Sequence, residues 1–259
     1  MIAGLVATSQ MPVLFLGMAV LIYIACEVGF LLGRYHRRTL RDKEAPSSIG
    51  SMVAGLLSML AFILALTFSI AIEQYQARKQ NVVSEAAAIH SAYLLADLVA
   101  APHNVEIKRL LRNYVEVRVQ VVHDRDLESA ISKSIEIYQS LWEQAVEIAP
   151  LTRDGIMGTV AQSIIDVINL GERRKITAVN SQIPGSVWAG LLIITLLSIA
   201  ILGLQLGFYG KRRIVAVMPL TIAFAVLITL VVDLDRPQSG FITVNQDAMV
   251  DLQAIMDRQ

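Results

Sequence analysis

Six residues recur at alternating four and three spacing, Ser51, Gly55, Ser58, Phe62, Ala65 and Ser69, and Glu73 follows four further on. That spacing places them on one face of a helix, a face small and polar except for one phenyl ring. Two chemistries suit it. Small residues let helices approach closely inside a bilayer, where packing and not hydrophobicity holds spans together. Alternatively the hydroxyls line a water-filled path in an oligomer, with Phe62 as an apolar constriction and Glu73 as an acidic ring at its mouth. Glu27 is a second candidate, a carboxyl inside a long apolar run. A charged acid at the bilayer centre costs about 2.5 to 3.5 kcal/mol, so Glu27 is expected to face protein or water. It is either a functional group or an acid near the basic membrane face, paired with Arg34 or protonated against a neighbour. A third group follows the last apolar run: Asp233, Asp235, Arg236, Pro237, Ser239 and Gly240. There the two acids are expected to hold Arg236 and end the helix.

Catalytic patterns are missing from the sequence. The histidines, His36, His90, His103 and His123, show neither i,i+4 nor HExxH spacing, and no Gly-rich phosphate loop, G-x-S-x-G or CxxC occurs. The residues therefore give no support to an enzyme, a metal site or a cofactor. Lys plus Arg and Asp plus Glu number 22 each, which removes the basic field that nucleic-acid binding needs. The single cysteine, Cys26, cannot form an intramolecular disulfide and reads as a small buried side chain.

The elements that carry these residues are membrane spans. A composition of 55% hydrophobic and 17% charged residues, with mean hydropathy +0.57, does not fit a soluble domain. Gly50 to Ile72 is 23 residues without a charge, Gly185 to Gly210 is 26 and Ile214 to Val232 is 19. Each can cross about 30 Å of hydrocarbon. Val13 to Gly33, which holds Glu27, is the fourth. No Lys or Arg precedes Arg34, so the N-terminal run is expected to be an uncleaved span and not a signal peptide. Residues 1–72 thus form a hairpin with spans at about 13–33 and 50–72. A second hairpin covers 185–233, with spans at about 185–207 and 214–232, and 234–259 is a tail. Pro219 is expected to bend the fourth span, and Gly203 with Gly207 offers a close helix contact on the third.

Residues 73–184 hold 12 Lys or Arg and 14 Asp or Glu, a composition that belongs in water. Their periodicity is helical. Tyr75, Val82, Ala86, Ile89, Tyr93 and Ala96 continue the second span toward a stop before Pro102. Ile107, Leu110, Tyr114, Val117 and Val121 mark the next helix. Leu127, Ile131, Ile135, Tyr138, Trp142 and Ala145 mark a third, and Met157, Val160, Ile164, Val167 and Ile176 a fourth, capped by Thr152 or Asp154. The alternating Val115 to Val122 lies on a helical stripe and has no sheet partner. The fold class is all-α: four transmembrane helices with a water-exposed helical bundle between the second and third spans.

Three stretches carry a family resemblance. Leu56 to Arg78, ending Glu73-Gln74-Tyr75-Gln76-Ala77-Arg78, then Glu85-Ala86-Ala87-Ala88-Ile89 with Tyr93, and Leu234-Asp235-Arg236-Pro237 with Ser239-Gly240, resemble the bestrophin-like family of bacterial membrane proteins. The resemblance runs from the first span to about Val244. It implies a distant likeness to bestrophins, pentameric chloride channels whose second span lines the pore, and it would put Phe62 at the neck. The Trp-Trp pair that many bestrophins carry after that span is replaced here by Tyr75 and Gln76. The resemblance also implies a cytoplasmic bundle.

Charge implies the reverse. The loop between the first two spans holds Arg34, Arg37, Arg38, Arg41 and Lys43, and the turn between the last two holds Lys211, Arg212 and Arg213. By the positive-inside rule both hairpin loops of this inner-membrane protein are cytoplasmic and both termini outside. Two functions follow for a protein embedded in the lipid bilayer. One is a homo-oligomeric ion channel or channel-like transporter for an inorganic ion. The other is a membrane-anchored sensor or scaffold whose bundle binds a ligand or protein without a pore. On the charge reading, a cysteine placed at Ser129 reacts with a membrane-impermeant maleimide in intact cells and one at Ser47 is protected. The opposite labelling pattern reverses the orientation.

Overall fold

The computed structural model of the chain describes residues 11–39, 47–124, 127–149, 155–180, 183–210, 214–236 and 241–258. These form α1 (Met11–Thr39), α2 (Ser47–Leu95), a 3-10 turn (Ala96–Leu98), α3 (His103–Asp124), α4 (Leu127–Ile148), α5 (Gly155–Asn180), α6 (Gly185–Tyr209), α7 (Ile214–Asp235) and α8 (Asp247–Met256). No strand occurs among the described residues, and the class is all-helical. The chain divides into two compact units: Met1–Tyr75 with Gln182–Thr243, and Gln76–Ser181 with Val244–Gln259.

The helices long and apolar enough to cross a membrane are α1, α2, α6 and α7, with α2 belonging to the first unit up to Tyr75. The protein is accordingly a membrane protein with lipid-facing helices. Exposed apolar side chains such as Leu16, Val20 and Ile24 on α1, Ile193 and Leu197 on α6, and Ile222 and Val226 on α7 suit contact with acyl chains. Without a hydrophobic drive between helices in lipid, close backbone approach must hold the spans together. Glycines supply it between α1 and α6. A Cβ on Gly29 would lie 1.9 Å from the Ala200 carbonyl oxygen, and one on Gly203 would lie 2.1 Å from that of Cys26. Gly33 and Gly207 repeat the arrangement one turn on, so the small pair expected on the third span meets a matching pair on the first. Three hydroxyls inside the spans find acceptors within the chain. Thr67 donates to the Ile63 carbonyl at 2.8 Å, Thr195 to that of Leu191 at 2.7 Å, and Ser198 to that of Leu56 at 3.4 Å. Pro219 lies within α7.

The second unit is a helical bundle of residues 76–95 of α2 with α3, α4, α5 and α8. Its core contains Val82, Ile89, Tyr93, Ile107, Leu111, Tyr114, Leu141 and Ile164. The stripes expected on α2 and α3 are buried as far as they are described, except that Tyr75 is only half-buried; Val121 has no described side chain, and Thr152 and Asp154 lie outside the described residues. On α4 the expected stripe is rotated. Ala130, Ser134, Ile137, Tyr138, Leu141 and Ala145 are buried, whereas Ile135 is 39% and Trp142 49% exposed. The buried face combines Ile137, Tyr138 and Leu141 with small residues that let neighbouring helices approach, and Ile135 and Trp142 sit outside it. Ile176 on α5 is likewise exposed, because that helix turns Gly171 inward. The tail adds what the periodicity did not suggest: Met249, Leu252 and Met256 of α8 enter the bundle core.

Substituting Gly203→Leu sets a side chain against backbone that cannot yield, and overpacking of this kind costs about 1 to 3 kcal/mol or more. A Cβ on Gly190 of the same helix would meet nothing within 4 Å, so Gly190→Leu is the control. The first change is expected to lower the melting temperature in detergent clearly and the second to leave it nearly unchanged. Equal effects would remove the glycine contact as the main holder of α1 against α6.

Candidate functional site

The polar stripe of α2 lies wholly on the outside of the chain. Ser51, Gly55, Ser58, Phe62, Ala65, Ser69 and Glu73 are all exposed, Phe62 at 63%. The face buried in the membrane unit is the opposite one, formed by Val53, Leu60, Leu64, Thr67 and Ala71. A Cβ on Gly55 would meet nothing within 4 Å. Among the described residues, smallness along this stripe therefore serves no close approach between helices of the same chain.

The other residues singled out in the sequence have partners. Glu27 is half-buried on α1, and the Tyr23 hydroxyl one turn earlier donates to its Oε1 at 3.1 Å. Asp233 is buried and receives the backbone N–H groups of Phe241 at 2.9 Å and Ile242 at 3.0 Å. Asp235 accepts the N–H of Ile183 at 2.8 Å and the indole N–H of Trp188 at 3.4 Å. The two acids thus do more than end α7: they hold the chain that enters α6 and the chain that returns after α7. Pro237, Ser239 and Gly240 lie outside the described residues.

A further cluster went unnoticed in the sequence. Glu85 lies on α2 beyond the apolar span, wholly buried in the bundle. Its Oε1 accepts the Tyr114 hydroxyl and lies 3.3 Å from Arg118 Nε on α3. Its Oε2 accepts Arg174 Nη1 of α5 at 2.5 Å, and Arg174 Nη2 donates to Gln246 Oε1 at 2.7 Å. Arg118 also donates to Tyr114 at 2.9 Å and to Tyr138 at 3.3 Å. The two tyrosine oxygens are 2.6 Å apart, and because the Tyr114 proton is committed to Glu85, Tyr138 is the donor between them. A proton-donating chain from Tyr138 through Tyr114 ends on the carboxylate. Gly171 of α5 makes room for it, since a Cβ there would fall 1.8 Å from the Tyr138 oxygen.

Electrostatics keep the cluster charged. Burial pushes the Glu85 carboxyl up, but Arg118, Arg174 and the Tyr114 hydrogen bond outweigh it and leave it below its ordinary 4.5. Burial also lowers Arg118, yet Tyr114, Glu85 and Tyr138 raise it further, so it stays a cation. Burial and the charge of Glu85 hold the Tyr114 hydroxyl well above 10.0. One carboxylate faces two guanidiniums, and the enclosed formal charge is +1.

The signals were present in the sequence. Glu85 sits beside Ala86 between Val82 and Ile89 on a buried stripe, and Arg118 follows Tyr114 by one turn. Of the adjacent cations Arg173, Arg174 and Lys175, the phase Val160, Ile164, Val167, Gly171 selects Arg174. A charge in register with an apolar face is the mark of a buried ion cluster.

A family description, Bestrophin-like domain, matches residues 20–249. No curated protein and no solved structure matches the chain.

Removing Glu85 leaves the buried Arg118 guanidinium and the half-buried one of Arg174 without their shared carboxylate, a change that costs about 3 to 5 kcal/mol. Glu85→Ala is expected to lower the melting temperature strongly. Because the folded carboxyl lies below its ordinary value, its contribution is complete above about pH 5 and fades as pH falls below 4.5. Melting measured from pH 7 to pH 3 should show wild type losing stability in acid and converging on the mutant. A constant gap down to pH 3 would contradict the assignment.

Proposed function

We propose, from the premise that this chain belongs to the bestrophin-like family, that it is a homo-oligomeric ion channel or channel-like transporter whose second span lines a pore between copies. The observation that carries this reading is the exposure of the whole Ser51 to Glu73 stripe, directly opposite the face of α2 that is buried in its own chain. Serines can return their hydroxyls to their own helix, but an acid at the end of the stripe needs water or a partner. A ring of α2 helices around a water-filled axis gives both. Glu73 would then form the acidic mouth and Phe62 the narrowest level. Copies of the chain would cover the stripe, lipid the other outward faces.

The bundle supports the outside orientation within this proposal. Arg78 is buried and Arg174 is engaged by Glu85, so fewer cations on that side are free to sit at the headgroups than the sequence counts. The rival reading, a membrane-anchored sensor or scaffold, draws on the closed polar cluster around Glu85, which has no evident part in conduction.

Phe62 separates the two. In a ring of subunits its phenyl groups meet at one level, where water leaves and an ion would lose hydration without replacement ligands. Phe62→Ala is expected to raise ion flux in liposomes, about tenfold for each ~1.4 kcal/mol of barrier removed. Melting in detergent should change little, because the ring is 63% exposed in the chain. No flux from either protein, with a clear loss of stability in the variant, would defeat the pore and leave the sensor or scaffold ahead.

A further inference from the structure

We propose that Glu85 is the positioning residue of α2: held between Arg118 and Arg174, it fixes the axial register and rotation of that helix in the bundle. Its consequence for flux rests on the pore reading above; the positional claim does not. Tyr93 is a large buried anchor near the end of α2, but Val82, Ala86, Ile89 and Ala92 are all buried and of small or medium size, so at their level a slip of one turn, about 5.4 Å, exchanges similar neighbours and specifies register weakly. The charges admit no such exchange. Glu85 meets a guanidinium from α3 at one carboxylate oxygen and one from α5 at the other. Two fixed directions set rotation as well as height. Any slip separates the buried Glu85 from two guanidiniums at once, one of them, Arg118, itself buried.

Stability alone does not account for such a cluster. Well-packed apolar residues in place of a buried ion cluster are often as stable or more so, and a single buried polar group is best attested as a device for register. The setting matters because the exposed side of α2 continues past Glu73 through Gln76, Gln80, Val83, Ala87, Ser91 and Leu94 at the same spacing. One residue of rotation would turn that set away and present another.

The test uses the full-length protein with Cys26→Ser. Asn81 Nδ2 donates to Thr177 Oγ1 at 3.1 Å, so cysteines at 81 and 177 report the native register, and cysteines at 77 and 177 report α2 displaced by one turn. Intrachain disulfide formation under copper phenanthroline is read on a gel. With Glu85 present the native pair should form at least about tenfold faster than the shifted pair. In Glu85→Leu/Arg118→Leu/Arg174→Leu, a protein expected to keep its melting temperature, the ratio should fall to within about twofold. Glu85→Asp should keep most of the preference. If the triple variant does not fold, Glu85→Gln is read in the same way. A ratio unchanged in whichever of these folds overturns the proposal. Flux in liposomes is measured alongside. A non-conducting wild type removes the pore reading and leaves the disulfide ratio to decide the positioning role. A conducting wild type whose flux survives loss of register unchanged overturns the consequence drawn for the exposed side of α2.

Discussion

Hydrocarbon supplies no hydrogen-bond partner, and this constraint decides which way each polar side chain of the spans can turn. Ser198 reaches the Leu56 carbonyl on another helix, Thr67 and Thr195 return to their own backbone, and Glu27 takes the Tyr23 hydroxyl. With these groups absorbed, the spans can be held by backbone contact, which the paired glycines of α1 and α6 permit. The stripe from Ser51 to Glu73 is the remainder. It is polar at regular intervals, open along its length, and ends in a carboxylate, so its environment in the membrane must come from beyond the single chain.

The same accounting operates in the bundle, where the medium excluded is water. Glu85 is enclosed with two guanidiniums and two phenols, and every bond in the cluster has a donor and an acceptor assigned by chemistry. The arrangement draws on four helices at once: α2 gives the acid, α3 Tyr114 and Arg118, α4 Tyr138, and α5 Arg174 with the gap at Gly171. Few arrangements of those helices satisfy all of these groups, whereas many would satisfy the alanines and valines around them. Specificity in the bundle is therefore concentrated in a few polar atoms.

The spans and the helical class could be read from the sequence because charge-free length and periodicity are properties of consecutive residues. The Gly203 and Gly207 contact was legible for the same reason. What escaped depends on phase and on distant partners. On α4, Ile135 and Trp142 drew the stripe round, although beside the expected Tyr138 and Ala145 the helix buries Ala130, Ser134, Ile137 and Leu141. Helix α8 is only ten residues long, and its three anchors mean little without the groove that receives them. Asp233 and Asp235 were legible as the end of α7, but the backbone and indole groups they also accept, Phe241 and Ile242 for one and Ile183 and Trp188 for the other, cannot be inferred from adjacency. Glu85, Arg118 and Arg174 were visible as charges on apolar stripes. Their convergence required three helices to be in place.

Family membership fixes less of the site chemistry than these residues do. The resemblance carries the span order and the post-membrane residues, yet after the second span this chain has Tyr75 and Gln76 where many bestrophins carry a tryptophan pair. The ionic character of the α2 stripe must then follow from the groups it presents. Its ionisable member is an acid, Glu73, while the nearby Arg78 is turned into the protein interior. A ring built from that face would offer carboxylates and hydroxyls to a passing ion, and no guanidinium at the same level. Such a lining stabilises positive charge more readily than negative, because an anion entering it meets like charge without compensating donors beyond the serine hydroxyls. Whatever selectivity a pore here has would thus follow from Glu73 and the serine hydroxyls of this face.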